Sequence, residues 1–311
     1  MIGYTKPFFA ASALLMATTM PAWAVDWTKV PGKEVVLFYP GQSPWEWVLS
    51  QTDHSGAVKF KDGKNCHACH DGEEKSMGAT LVSGTKNEPA PIAGKPPFIA
   101  ATVKMATEGD QFLVRIEYAE GTQPDIKMDA KYASKVTVMF NDGKVAPANR
   151  AGCWAACHDD LRNMPSAGTA GRTKYLAASR AKMTRQGGGE DLVPDDQLAK
   201  LRADGVNLEY WQALFNPGAP AAANSFTVLD KREDIKANAV TAEAGPSAGG
   251  AWAVTLARKL KAGPPYKDIE TGKPYTVGFA IHSGHALGRF HYVSFEYSVI
   301  LGQGNADFVV Q

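Results

Sequence analysis

The chain has 311 residues, of which 44% are hydrophobic and 21% are charged, and its formal net charge is +1. This composition is that of a globular protein long enough to bury a substantial core. It excludes a strongly basic surface of the kind that binds nucleic acid, and it contains no charge run typical of a disordered tail.

Residues 1–24 have the pattern of a secretory signal peptide. Lys6 supplies the positive charge, residues 8–16 form an apolar core, and a small-x-small site at 22–24 predicts cleavage after Ala24. The apolar run is shorter than the ~20 residues of a membrane span, and no later segment is apolar for long enough to cross a bilayer. We therefore expect an exported, soluble protein with no membrane span after cleavage.

The first elements after this segment are a strand and a short helix. Residues 33–39 predict the strand, which Pro40 ends. Ser43 and Pro44 then predict a helix start, with Ser43 as the N-cap residue. His54 follows this helix, twelve residues before Cys66.

Residues 66–70 read Cys-His-Ala-Cys-His, the covalent attachment motif of c-type haem. Cys66 and Cys69 would each form a thioether with one haem vinyl group, and His70 would bind the iron from one face. His54 is close enough in sequence to supply the opposite, distal ligand. His67 lies between the thiols and should point away from the iron.

Residues 72–98 are rich in Gly, Pro and Lys and predict a loop around this first haem. From residue 99 the pattern is β, with strands at 99–105 and 111–118 joined by a hairpin turn at Gly109. A further strand is predicted at 135–140.

A second motif, Cys-Trp-Ala-Ala-Cys-His, occupies residues 153–158 and uses the remaining two cysteines. Three residues separate Cys153 from Cys157, one more than in the first motif, and His158 follows at once. The pattern predicts a second covalent c-type haem with His158 as its proximal ligand.

The last part of the chain mixes helical and β patterns. Helical spacing predicts helices over Leu176–Met183 and most of Asp195–Phe215. Strands are predicted at 225–229, 251–260, 275–282 and 289–301.

The distal position of the second haem has three histidine candidates. His291 would share the inward face of the last strand with Val293 and Phe295, and a buried histidine needs a partner, which could be iron or a backbone group of the core. His282 and His285 are the alternatives. The methionine candidates for either haem are Met77, Met105, Met128, Met139, Met164 and Met183.

These patterns predict a mainly β fold, an antiparallel β-sandwich with helical insertions and an N-terminal haem-binding segment. We expect three parts: the signal peptide at 1–24, the strand, helix and first haem segment at 25–98, and at 99–311 the β-sandwich that carries the second haem.

Three other roles for the cysteines stay open. They could form two disulfides, as export allows, a four-thiolate zinc site, or unrelated core thiols. None of these requires a histidine directly after each pair, and the chain has only seven histidines.

The residues around the second motif resemble a known family. Residues 152–160, with Met164-Pro165 beyond them, and the stretches 279–282 and 288–294 are similar to the haem-binding domain of the ethylbenzene dehydrogenase γ-subunit type, also described as cytochrome c-552/DMSO-reductase-like. The resemblance implies a β-sandwich. It also implies a haem held between a Met and a Lys, at positions where this chain offers His158 and His291.

We therefore expect two c-type haems in a periplasmic electron carrier, with both irons six-coordinate. The redox partner could be a molybdenum oxidoreductase, a quinol-oxidising membrane cytochrome or a soluble cytochrome. An enzyme with one open iron site, peroxidase-like or a small oxidoreductase, is the alternative function, and a β-sandwich without haem is a third.

Overall fold

The structure is a computed structural model that describes residues 23–158, 174–184 and 191–311. Its α-helices in these ranges are short: α1 Trp45–Leu49, α2 Ala57–Lys61, α3 Cys66–His70, α4 Glu74–Val82, α5 Ala148–Ala151 and α6 Asp195–Ala203. Three 3₁₀ turns lie at Gly152–Ala155, Ala177–Ser179 and Ala248–Gly250. In this part of the chain no helix has the length and apolar character needed to cross a membrane.

The strands are β1 Gly32–Phe38, β2 Phe98–Glu108, β3 Gln111–Tyr118, β4 Ser134–Asn141, β5 Ala156–His158, β6 Lys174–Leu176, β7 Leu208–Phe215, β8 Ala222–Val228, β9 Arg232–Asp234, β10 Thr241–Pro246, β11 Trp252–Lys259, β12 Pro274–His282, β13 Tyr292–Val293, β14 Tyr297–Leu301 and β15 Phe308–Val310. They confirm the mainly β, antiparallel fold class. β2 and β3 also confirm the hairpin, which pairs Glu108 with Gln111 and turns at Gly109 with a φ of 58°.

Thirteen strands form one sheet, in the order β10-β11-β3-β2-β1-β13-β12-β4-β7-β8-β9, with β14 and β15 added beside β12. The pairs are antiparallel except β14 with β15. β5 and β6 form a separate two-stranded sheet. β1 therefore lies in the middle of the large sheet, between β2 and β13.

The two ends of this sheet face each other across a core. Phe215 on β7 lies 4.8 Å from Trp252 on β11, measured between ring centroids, although the two strands are far apart in the sheet order. Arg258 on β11 and Glu209 on β7 form a fully buried ion pair at 2.8 Å. Large sheets close in this way because both apolar faces must be covered.

The loop predicted over 72–98 is wrong for its first third, which forms α4. Gly78 allows this helix to lie directly on the sheet, since a Cβ there would come within 2.2 Å of the Pro97 carbonyl oxygen and 3.2 Å of Phe38. The glycine that lowers helix propensity is thus required by packing. The predicted helix at 45–49 is present, but Pro44 rather than Ser43 occupies the N-cap position.

The two helices predicted in the second half are largely wrong. Residues 176–183 contain the end of β6 and a 3₁₀ turn, because Tyr175 pairs with Cys157 across the small sheet. Only residues 195–203 of the longer prediction are helical, and β7 follows. β7 is buried on both faces between β4 and β8, so it lacks the alternation by which a strand is recognised.

The long strand predicted at 289–301 is interrupted. β13 and β14 are separated by residues 294–296, where the Ser294 hydroxyl accepts a hydrogen bond from the Phe279 amide. This break turns Glu296 toward the first cysteine motif.

Candidate haem sites

Asn65 and the helix α3 set the geometry of the first motif. The Asn65 side chain accepts a 2.7 Å hydrogen bond from the Ala68 amide and so caps the helix. In a helix the side chains at i, i+3 and i+4 share one side, which groups Cys66, Cys69 and His70. His67 lies on another side and packs edge-on against Tyr297 at 4.6 Å between ring centroids.

His54 and His70 face each other with ring centroids 6.0 Å apart. The Nδ1 atom of His54 is 2.9 Å from the Val48 carbonyl oxygen, and that of His70 is 2.8 Å from a Glu73 carboxylate oxygen. When Nδ1 donates its proton in this way, the Nε2 lone pair is left for a metal. Burial lowers the pKa of His54, which favours the neutral ligand form.

The second motif begins after α5 and lies across a 3₁₀ turn and β5. Gly152 has a φ of 53°, a conformation that other residues rarely adopt. A Cβ added there would also lie 3.2 Å from the Glu296 backbone, so glycine is favoured in this turn. Cys153 packs against Gly278, where an added Cβ would lie 2.8 Å from its sulfur. Cys157 is fully buried, with its sulfur 3.7 Å from a Glu46 carboxylate oxygen.

His158 and His291 form the corresponding pair, with ring centroids 5.7 Å apart. The Nδ1 atom of His291 lies 2.9 Å from the Arg289 carbonyl oxygen, the same orientation as in the first pair. His282 stacks on His291 at 4.9 Å, and it uses Nε2 to contact the Gly288 carbonyl oxygen at 3.1 Å. Its Nδ1 is buried and has no hydrogen-bond partner among the described residues.

Arg289 holds the backbone before His291 through a buried network. Its guanidinium lies 2.6 Å from a Glu88 carboxylate oxygen and 3.0 Å from the Tyr39 hydroxyl, which itself donates to Glu88 at 2.5 Å. Tyr39 and Glu88 are buried, and the three residues come from three distant parts of the chain. This network fixes the carbonyl group that orients the His291 ring.

A cavity of about 520 Å³ lies beside the second motif and is lined by Cys153, His158 and His291. Its volume is in the range of cofactor sites. Four cationic side chains also line it: Lys131, Lys135, Lys174 and Arg232. Lys135 is already paired with Asp129 at 2.5 Å, and Arg232 with Asp234 at 2.8 Å. Cations at the rim of such a cavity suit a ligand that carries carboxylates.

The residues present fit c-type haem by a direct geometric measure. Two imidazoles bound to one metal through bonds of about 2 Å would have ring centres roughly 6 Å apart. The observed separations are 6.0 Å and 5.7 Å. In each pair one histidine directly follows the second thiol of a motif. The other is His54, twelve residues before the first motif, or His291, far along the chain from the second.

Two of the alternative roles of the cysteines, disulfides and a four-thiolate zinc site, find no support in the geometry. All four thiols are free rather than bridged. Within residues 23–158, 174–184 and 191–311 the cysteines form no cluster with metal-ligand spacing. Burial raises the pKa of Cys153 to about 12 and raises the pKa of Cys157 well above its ordinary value, which disfavours the thiolates that zinc requires.

The sequence matches the ethylbenzene dehydrogenase family over residues 24–294, most of the chain. The chain belongs to this family. It is also 36% identical over 287 residues to cytochrome c-552 of Stutzerimonas stutzeri, covering 90% of this chain and 88% of that protein. Cytochrome c-551 of Rhodocyclus tenuis is 29% identical over 289 residues, covering 93% of this chain and 98% of that protein.

This family member is therefore a homologue of proteins named as c-type cytochromes, and the resemblance stated from its motifs is confirmed at that level. The number of haems and the identity of the iron ligands have to be inferred from the side chains of this chain. His54, His70, His158 and His291 are brought together in pairs, and His282 lies beside the second pair.

The other candidates differ in how near they lie to the motifs. Met139 belongs to the cluster that Cys153 packs against, and Met183 packs against the cluster that contains Cys157. His285 is partly exposed in a turn, with Nδ1 2.9 Å from an Asp125 carboxylate oxygen. Met105 and Met139 are buried in apolar clusters and Met128 is exposed. Met77 and Met183 are partly buried against apolar clusters. Met164 lies outside the described residues.

Several residues of the sites could not be found by motif. Glu73 follows His70 by one helical turn, so its contact could have been anticipated from spacing. Glu88, Tyr39 and Glu296 come from segments far away in the sequence, and nothing in their local pattern marks them. Glu296 accepts a 3.1 Å hydrogen bond from the His67 amide.

The two candidate sites share one apolar wall. Cys157 lies in a cluster with Trp45, Phe60 and Tyr175, and both Cys66 and Trp154 pack against the same cluster. Phe38 stacks on Trp154 at 5.8 Å and also contacts Phe295 at 5.1 Å, which in turn lies 6.0 Å from His70. Groups attached at the two motifs would therefore be neighbours.

Proposed function

We propose that this protein is a c-type cytochrome that carries two covalent haems and transfers single electrons between redox partners. The observation that carries the proposal is the pair of facing histidines at each cysteine motif, 6.0 Å and 5.7 Å apart. A bound haem supplies one-electron chemistry.

The ligand assignment follows from these pairs. Cys66 and Cys69 hold the first haem, between His70 and His54. Cys153 and Cys157 hold the second, in the 520 Å³ cavity between His158 and His291. Two imidazoles on each iron leave no position for a substrate, which favours electron transfer over catalysis.

The protein's own groups tune each site. The Glu73 carboxylate and the Val48 and Arg289 carbonyl oxygens hold the imidazoles in one orientation and make them stronger donors. The cationic side chains that line the second cavity give it a positive potential, which suits a ligand that carries carboxylates. The shared apolar wall keeps water away from the region between the motifs.

Export to the periplasm fits this role, since both relatives are cytochromes c and residues 1–24 carry the signal pattern. The partners would be redox proteins. Membership of the ethylbenzene dehydrogenase family supports a second candidate, in which the protein serves as the electron-transfer subunit of a molybdenum oxidoreductase.

Mass spectrometry of the denatured, mature protein tests the proposal. We expect the polypeptide mass plus two covalent haem increments, together with a low-spin absorption spectrum that carbon monoxide does not change. A mass without haem would overturn the proposal. One increment would overturn the two-haem assignment, and rapid carbon monoxide binding would indicate an open iron and favour an enzyme.

A further inference from the structure

We propose that His67, Asp71 and Glu74 form a binding site for a divalent cation of the zinc type, outside both haem ligand sets. One ligand atom from each of these residues lies within 4.8 Å of the other two. His67 and Asp71 come from α3 and its C-terminus, and Glu74 begins α4, so two consecutive helices fix the three groups.

The orientation of His67 is that of a metal ligand rather than of a surface residue. Its Nδ1 donates to the Glu296 carbonyl oxygen at 2.8 Å, so the Nε2 lone pair faces Glu74. The Nε2 atom is 3.8 Å from the nearer Glu74 oxygen. This separation is too long for a direct hydrogen bond, and it suits two atoms that bind one ion.

Glu296 provides an independent indication of a cation. It is 5% exposed, and its Oε2 atom is buried without a hydrogen-bond partner in the described part of the chain. It lines the same 760 Å³ groove as His67, Asp71 and Glu74. A buried carboxylate oxygen that lacks a hydrogen-bond donor is stabilised when it lies near a bound cation.

The lysines near this groove are matched to other carboxylates. Glu34 and Asp307 also line it, but Lys75 lies 3.9 Å from Glu34 and Lys33 lies 2.9 Å from Asp307. Glu74 is 6% exposed, and a buried carboxylate is costly unless it is paired or binds a metal. One imidazole with carboxylates is a donor set that zinc accepts, with water in the remaining position.

Calorimetric titration of the full-length holo-protein with Zn²⁺, after dialysis against a chelator, tests this site. We expect one Zn²⁺ per chain in the wild type. Asp71→Asn changes an exposed side chain and should weaken binding more than tenfold. Asp62→Asn, an exposed change at the end of α2, is the matched control and should bind as the wild type does.

Glu74→Gln provides a second variant that keeps the shape of the buried side chain, and we expect the same loss from it. No saturable Zn²⁺ binding by the wild type would overturn the proposal. Equal affinity in Asp71→Asn and Asp62→Asn would also overturn it. The titration measures the stoichiometry and affinity of Zn²⁺ binding at residues outside the iron ligands. Its outcome is therefore distinguishable from failure of the haem assignment.

Discussion

His54 and His70 lie with ring centroids 6.0 Å apart although they belong to different segments, the turn after α1 and the end of α3. Each ring is held by a hydrogen bond at Nδ1. The same relationship recurs between His158 and His291 in an unrelated part of the fold. If each pair of rings binds one iron, replacing one ring should change the coordination of that iron alone.

Removing a distal histidine should open one iron. His54→Ala should convert only the first haem from low spin to high spin, and His291→Ala should do so only for the second, as measured by low-temperature EPR and carbon monoxide binding. His285→Ala is the control, since its ring contacts Asp125 in a turn. If the spectrum of His291→Ala is unchanged, His282 could have replaced the lost ligand, and the double variant His282→Ala/His291→Ala tests this. An unchanged spectrum in the double variant as well contradicts the assignment.

The two cysteine pairs should act separately in attachment. Cys66→Ala/Cys69→Ala and Cys153→Ala/Cys157→Ala should each reduce the covalent haem content from two to one per chain. The pyridine haemochrome absorbance and the intact mass measure this content. Retention of both covalent groups in either double variant would show that the altered pair is not an attachment site.

Breaking the Arg289 network should destabilise the fold and disturb the second site. Glu88→Gln leaves a buried guanidinium with no full counter-charge, which we expect to lower the free energy of unfolding by about 3–5 kcal/mol. Because Arg289 orients His291, the EPR signal of the second haem should also shift. The control is Asp204→Asn, whose exposed pair with Lys200 contributes less than about 1 kcal/mol.

Gly78 should not tolerate a side chain. Gly78→Ala drives a methyl group into the Pro97 carbonyl and should cost about 1–3 kcal/mol of unfolding free energy in chemical denaturation. Gly245→Ala is the control, because an added Cβ there meets nothing within 4 Å. Equal stability of the two variants would mean that α4 does not approach the sheet as closely as described.

The buried Glu296 carboxyl should make stability depend on pH. Its folded pKa is raised to about 7 by burial, against an ordinary value of 4.5. Between these values the folded chain holds more protons than the unfolded chain, so stability should fall as pH rises from about 4.5 through 7. In metal-free protein, denaturant titrations across this range should show a smaller decline for Glu296→Gln; an identical decline contradicts the assignment.

The sequence was informative where a short motif or a clean alternation carries the signal. The hairpin of β2 and β3 is local and was predicted correctly from spacing alone, and the cysteine motif at 66–70, whose attachment role stays a prediction, is equally local. The helix α4 and the strand β7 were missed for the opposite reason. Gly78 and the doubly buried face of β7 are explained by contacts with distant segments, which outweigh local propensity.

The candidate sites divide in the same way. The motifs alone predict His70 and His158 as proximal ligands, and His54 and His291 could be proposed as their partners from proximity and from an inward face. Glu88 and Glu296 could not, because each acts on a residue about 200 or more positions away. Their roles depend on how the sheet closes, which no window of sequence contains.

Cys157 has no exposed surface in the folded chain and lies within an apolar cluster that Cys66 also contacts. An attachment enzyme cannot reach such a sulfur once the core has closed. If the proposed second thioether forms at this position, it has to be made on an open polypeptide, so that haem attachment would precede folding of this part of the chain.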